Sequence, residues 1–232
     1  MKIYYRISDI GYKKIKPDFV NNENCLKNFV SVFNEYITEI YIIADNICAA
    51  TNAMVQKYIN TNNIINVNIG HGAGTFNLAL DRALQLPNTE YIYFVENDYL
   101  HKPNSYTVLI EGLSLGADYV TLYDHPDKYL DPCAGGNPFC YGGAENTRVY
   151  LSKSCHWKIT NSTTMTFASS VQSLKEDEAI LRKWTADTYP NDFRMFLELG
   201  QKRKTLISSI PGYATHGETQ YLCPLTNWIE YA

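Results

Sequence analysis

Four short runs of almost unbroken apolar residues dominate the first half of the chain: Ile40-Tyr41-Ile42-Ile43-Ala44, Ile64-Ile65-Asn66-Val67, Tyr91-Ile92-Tyr93-Phe94-Val95 and Tyr119-Val120-Thr121-Leu122-Tyr123. A strand that is apolar on both faces has to be covered on both faces. The segments between these runs supply the cover, because their apolar residues recur at helical spacing. Leu26, Phe29, Val30 and Phe33 form one such stripe. Met54, Val55, Tyr58 and Ile59 form another, with Thr51 as the expected cap. Phe76, Ala79, Leu80, Ala83 and Leu84 belong to a helix expected to start near Thr75, and Gly116 closes a helix near residues 106–115. Together with a short opening strand at residues 2–6, this alternation predicts a Rossmann-type α/β/α sandwich with a mostly parallel central sheet.

The second half changes character. Residues 124–146 are rich in Gly, Pro and Asp and read as a long loop region. Strands are expected at 148–151, 157–159 and 206–210, and helices at 176–184 and 192–199. No internal repeat or low-complexity linker divides the chain, so residues 1–232 are expected to form a single domain.

Composition removes several function classes. With 45% hydrophobic and 19% charged residues among 232, the chain can build a sizeable core, which excludes an acidic disordered protein. A net charge of −4 offers no basic excess to displace counterions from nucleic acid. No stretch reaches the roughly 18 apolar residues of a membrane span. The opening Met1-Lys2-Ile3-Tyr4-Tyr5-Arg6, followed by Lys13, Lys14 and Lys16, is too polar for a signal peptide. The six cysteines lack C-x-x-C spacing and read as reduced thiols of a cytoplasmic protein, a bridge or metal between Cys133 and Cys140 being the alternative.

Open parallel sheets bind ligands beyond the carboxyl ends of their strands. Polar residues collect there: Ser8-Asp9 after the first strand, Asp45 after the second, Glu96-Asn97-Asp98 after the fourth. If the last segment stays extended, Glu96 and Asp98 share one side, roughly 7 Å apart, with Asn97 on the other. Two carboxylates so placed suit a hard divalent cation that also touches phosphate oxygens; the plainer reading is a solvated strand end. Gly70-His71-Gly72-Ala73-Gly74 permits close backbone approach before a helix, with His71 and Asn77 nearby, although glycines needed only for turning explain it equally well. Trp157 and the polar run at residues 160–167, including Thr163 and Thr164, suit a sugar-like acceptor, or else a polar strand packed by the tryptophan. The dense polar loop at residues 124–129 is expected to border that site. Glu176-Asp177 reads as a solvated helix face.

Strand, acid-x-Asp and polar loop, placed after three strand–helix units, resemble the Asp-x-Asp segment of GT-A-type nucleotide-sugar glycosyltransferases. The resemblance extends to the late Ile210-Pro211-Gly212-Tyr213-Ala214-Thr215-His216 and to Tyr189-Pro190-Asn191-Asp192-Phe193. It implies Asp98 and His216 as ligands of Mn²⁺ or Mg²⁺, and Asp192 as the base of an inverting transfer. It places Asp45, Arg6 and Ser8, together with Glu96 and Asn97, on the nucleotide-sugar side. Residues 1–123 would then form the donor half and 124–232 the acceptor half. The departure from the pattern is Glu96, which stands where the family has Asp. The implied activity is transfer of a sugar from a nucleoside-diphosphate sugar, UDP-sugar favoured, to a hydroxyl of a glycan or other acceptor. The alternatives are a carbohydrate-binding or inactive module of the same fold, and a sugar-nucleotide nucleotidyltransferase. The latter lacks support because residues 6–11 carry no glycine-rich basic loop.

Overall fold

The computed structural model describes residues 1–11 and 14–232; Tyr12 and Lys13, the first of the early lysines, lie outside the described residues. The chain runs β1 (Lys2–Ser8), α1 (Asn22–Val32), β2 (Ile40–Asp45), α2 (Ala49–Gln56), β3 (Ile64–Val67), α3 (Gly72–Leu84), β4 (Tyr91–Glu96), β5 (Tyr99–His101), α4 (Ser105–Ser114) and β6 (Tyr119–Thr121). It continues through β7 (Val149–Leu151), β8 (His156–Ile159), β9 (Phe167–Ser170), α5 (Val171–Lys183), α6 (Asp192–Gln201), β10 (Leu206–Ile210) and β11 (Ala214–His216).

One sheet takes the order β3-β2-β1-β4-β9-β6-β10-β8-β7, and β5 pairs separately with β11. From β3 to β4 every pairing is parallel, as is β6 with β10. Strand β9 runs antiparallel to both β4 and β6, and β8 to both β10 and β7. All strands of the sheet but β8 and β9 therefore point one way, in keeping with the expected mostly parallel architecture.

The period of two along each strand divides the core. Ile3, Tyr5 and Ile7 of β1 join Tyr93 and Val95 of β4 on the face covered by α1, α2 and α4. Tyr4, Ile92 and Phe94 face the opposite layer, where α3, α5 and α6 contribute Phe76, Leu80, Leu174, Leu181, Met195 and Phe196. The result is the three-layer sandwich that strands apolar on both faces require.

Local chemistry shifted three boundaries. Helix α2 is capped by Cys48, whose sulfur accepts from the Thr51 N–H, so Thr51 lies inside the helix. Helix α3 starts at Gly72 because the His71 imidazole caps it, Nδ1 accepting from the Gly74 N–H at 3.0 Å. Gly74 is needed there, since a Cβ would lie 2.4 Å from Ile69 Cγ2. Helix α5 begins at Val171, five residues before the expected Glu176. Asp177 is consequently not part of a solvated face: it is buried and accepts a 2.8 Å hydrogen bond from the Tyr119 hydroxyl.

His101, the last residue of β5 and opposite Ala214 of β11, is fully buried, edge-on to Phe29 and Phe33, with Nε2 2.8 Å from the Tyr93 hydroxyl. Burial pushes its imidazole down to about 3. The unfolded chain takes up this proton near pH 6.5, whereas the folded chain resists it until about pH 3. The stability His101 contributes is thus present above about pH 6.5 and is lost as pH falls toward 3, by about 1.4 kcal/mol per unit. We expect His101→Phe to flatten the acid limb of a urea-unfolding pH series by about that slope; parallel limbs for the two proteins would refute the buried neutral imidazole.

Candidate functional site

A cleft of about 990 Å³ opens beyond the carboxyl ends of β1, β2 and β4. Among its walls are Arg6, Ser8, Asp45, His71, Glu96, Asn97, Asp98, Thr164 and Asp192. The walls thus draw on both sides of residue 123.

The acid-x-Asp segment does not continue as a strand. Asn97 and Asp98 form a turn between β4 and β5, so Asn97 faces the cleft as well instead of pointing away. The turn is anchored from the far end of the chain: β5 pairs with β11 so that His216 lies opposite Tyr99, one residue beyond Asp98. Gly217 permits this approach, because a Cβ there would lie 2.7 Å from the Asp98 carbonyl oxygen. Glu96, Asp98 and His216 thereby bring one ligand atom each within 4.8 Å of one another.

Asp98 is 4% exposed. Its Oδ2 lies 3.1 Å from the ammonium groups of both Lys14 and Lys16 and 3.4 Å from His216 Nε2. Burial alone would push this carboxyl up, but the ammonium groups of Lys14 and Lys16 beside it act against burial and hold it well below the usual carboxylate range. Its Oδ1 is buried with no hydrogen-bond partner among the described residues. Two carboxylates, one with an unused buried oxygen, and one imidazole form a donor set that fits a divalent cation such as Mn²⁺.

Arg6 stitches the cleft together. Its guanidinium donates to the Gly72 and Met165 carbonyls, both at 3.0 Å, and pairs with Glu96 Oε1 at 3.3 Å. Asp45 accepts from the Ile69 and Gly70 N–H groups, which shapes the loop leading into α3. The Ser8 hydroxyl closes its own turn with Ile10, while the Asn97 amide bridges to Asn22. Asn77 is absorbed by the fold, bonding the Thr185 carbonyl and hydroxyl.

Asp192 follows the Asn191 cap as the first residue of α6. Its Oδ2 accepts the Thr163 and Thr164 N–H groups, both at 2.7 Å. Those bonds hold a loop in which Thr164 and Met165 adopt left-handed φ values of 49° and 56°, a conformation costly for side chains of this kind. Thr163 is itself buried and meets the site through its backbone, whereas Thr164 lines the cleft.

Trp157 requires a correction. It is fully buried in the core beside Val108, Leu109 and Val120, with Nε1 donating to Ser152 Oγ at 3.0 Å. Its rings are already covered by core side chains and do not line the cleft. The polar loop at residues 124–129 is also turned to internal use. Asp124 pairs with buried Lys158 at 2.9 Å, and Lys128 reaches Asn161 and Ser162 at 2.7 and 2.8 Å. This network braces the loop that carries Thr163 and Thr164. The six cysteines are unpaired, Cys133 and Cys140 included.

Lys14 and Lys16 are the site residues that sequence reasoning missed. A lysine pair in a loop reads as solvent-exposed, and only the folded chain brings it onto Asp98.

No family model matches the chain, and no curated protein matches it. Solved structures do resemble it. GalNAc-T7, in a structure with UDP, GalNAc and Mn²⁺, superposes with a TM-score of 0.59 at 12% identity, covering 93% of this chain and 43% of that one. S. aureus TarS in complex with UDP-GlcNAc gives 0.49 at 15% identity, covering 92% and 58%. A197 from STIV gives 0.46 at 14% identity, covering 93% and 84%. The likeness to GalNAc-T7 shows the fold: a GT-A-type, Rossmann-like α/β domain. No helix of the described residues is long and apolar enough to cross a membrane.

Proposed function

We propose that the chain is a metal-dependent glycosyltransferase moving a sugar from a nucleoside-diphosphate sugar, UDP-sugar favoured, to an acceptor hydroxyl with inversion. The observation that carries this reading is the convergence of Glu96, Asp98 and His216 at a cleft that Asp192 also lines. The fold shared with GalNAc-T7, whose structure holds UDP and Mn²⁺, supports it.

Asp98 and His216, with Glu96 beside them, would hold the ion, which when bound supplies Lewis-acid stabilisation of the negative charge on the departing diphosphate. The chain's own groups do the rest. The cleft orients donor and acceptor, and Arg6 keeps Glu96 and the start of α3 in register with the loop at Met165. Asp192 takes the proton of the acceptor hydroxyl as that oxygen bonds to the anomeric carbon and the bond to the diphosphate oxygen breaks. Water must be kept from the same carbon, which suits a cleft bounded by the braced loop at Thr164.

Thermal unfolding with UDP, GDP, CDP and dTDP, each with and without Mn²⁺, tests the reading, because a ligand of the folded state raises the melting temperature. We expect a manganese-dependent rise, largest with UDP. No shift with any nucleotide would overturn the donor site and return the weight to a sugar-binding module.

A further inference from the structure

The Asp98–His216 pair already has a cation of its own. Lys14 Nζ lies 3.1 Å from Asp98 Oδ2 and 2.8 Å from His216 Nε2. All three side chains are withdrawn from solvent, at 8%, 6% and 2% exposure for Lys14, Asp98 and His216. An ammonium has three donors and no lone pair, so at this distance Nε2 must be the acceptor and the ring proton sits on Nδ1. The contact therefore uses the single lone pair of Nε2, the pair with which a neutral imidazole binds a metal. A nitrogen with one lone pair serves an ammonium or a metal ion, never both.

Charge points the same way. Around the cluster stand two carboxylates, Glu96 and Asp98, against three cationic groups, Arg6, Lys14 and Lys16. A divalent ion added to that set would meet excess positive charge at close range. Lys14 is also placed to leave: residues 14–17 belong to no helix or strand, and its long side chain can swing away without breaking the backbone bond from the Thr219 N–H to the Ile15 carbonyl, 2.8 Å, that ties this segment down. Lys14 and Lys16 both line the cleft, so a displaced ammonium stays within it.

We infer that Lys14 is a resident cation of this site, occupying the place of the divalent ion and yielding it only by displacement. The inference rests on the metal-site reading above and adds that metal affinity is set by exchange with a side chain of the protein.

The test is Mn²⁺ titration of the full chain without nucleotide, with free Mn²⁺ followed by electron paramagnetic resonance. It compares wild type, Lys14→Met, the exposed Lys153→Met and Asp98→Asn. Lys14→Met is expected to bind Mn²⁺ at least about tenfold more tightly than wild type, as removal of a competing ion-pair partner implies. Lys153→Met should match wild type, and Asp98→Asn should lose binding. Unchanged or weaker binding by Lys14→Met, with Asp98→Asn still inactive in binding, overturns the resident cation and leaves the metal site standing. Absence of binding in every protein, Lys14→Met included, overturns the metal site and the inference with it. A second measurement on wild type guards against a variant that does not fold. Acetic anhydride labelling read by mass spectrometry should show Lys14 protected without metal and several-fold more reactive at saturating Mn²⁺, relative to Lys153. Equal Lys14 reactivity in a protein that has bound Mn²⁺ overturns displacement.

Discussion

Asp98→Asn is expected to abolish the manganese-dependent thermal shift and to lower sugar transfer by about 10²- to 10³-fold, the usual loss on removing one preorganised charge-stabilising group. The size of the effect follows from where the carboxylate sits. Asp98 is almost fully buried, one of its oxygens has no hydrogen-bond partner among the described residues, and its neighbours keep it ionised. The same substitution leaves the Lys14 and Lys16 ammoniums without their shared anion, so the unliganded protein should also lose about 3 kcal/mol of stability. The sign of the pH dependence is fixed by the depressed carboxyl. Its contribution is complete above the unfolded carboxylate value, about pH 4, and disappears as pH falls through the folded value. Two readouts separate the roles. A lower melting temperature with an intact manganese-dependent shift would make Asp98 a structural residue and remove it from the metal site.

Asp192→Asn should divide differently, with kcat reduced about 10²- to 10⁴-fold, as for loss of a general base, and nucleotide binding unchanged. An asparagine carbonyl oxygen can still accept the two N–H groups of Thr163 and Thr164, so the loop with its left-handed residues stays in place. What the amide cannot do is take a proton. Asp192→Ala, which removes both functions, should weaken binding as well. Steady-state kinetics beside the thermal-shift series checks this, and an unchanged kcat in Asp192→Asn would exclude the carboxylate as the base.

The parts of the fold that could be read in advance are those whose pattern is long and self-sufficient. Strands β2, β3, β4 and β6 announce themselves by apolar runs, and β10 was expected at the residues it occupies. Strands β5 and β11 escaped because each has three residues and finds its partner only in the other. Strand β9, Phe-Ala-Ser-Ser, is too short and polar to stand out, and only its two neighbours make it a strand. Histidine and cysteine caps hid the starts of α3 and α2 because they replace the usual Ser, Thr, Asp or Asn. Trp157 misled because an aromatic ring in a strand has one pattern whether it meets a ligand or a core. The proximity of Asp98 to His216 was legible only through the GT-A resemblance, since no local spacing connects residues so far apart in the chain.

The place of β9 bears on how the molecule can be made. A nascent chain that has left the ribosome as far as residue 123 possesses β4 and β6, but the strand that lies between them has yet to be synthesised. Until residue 170 is available, two strand edges that end up paired in the middle of the sheet remain open, one on each side of a gap that β9 alone fills. Open edges of that kind are where chains pair wrongly with one another. Dividing the gene anywhere between residues 124 and 166 would therefore yield one fragment with an unsealed sheet and another that carries β9 together with β10 and β11 but none of the strands β9 must join.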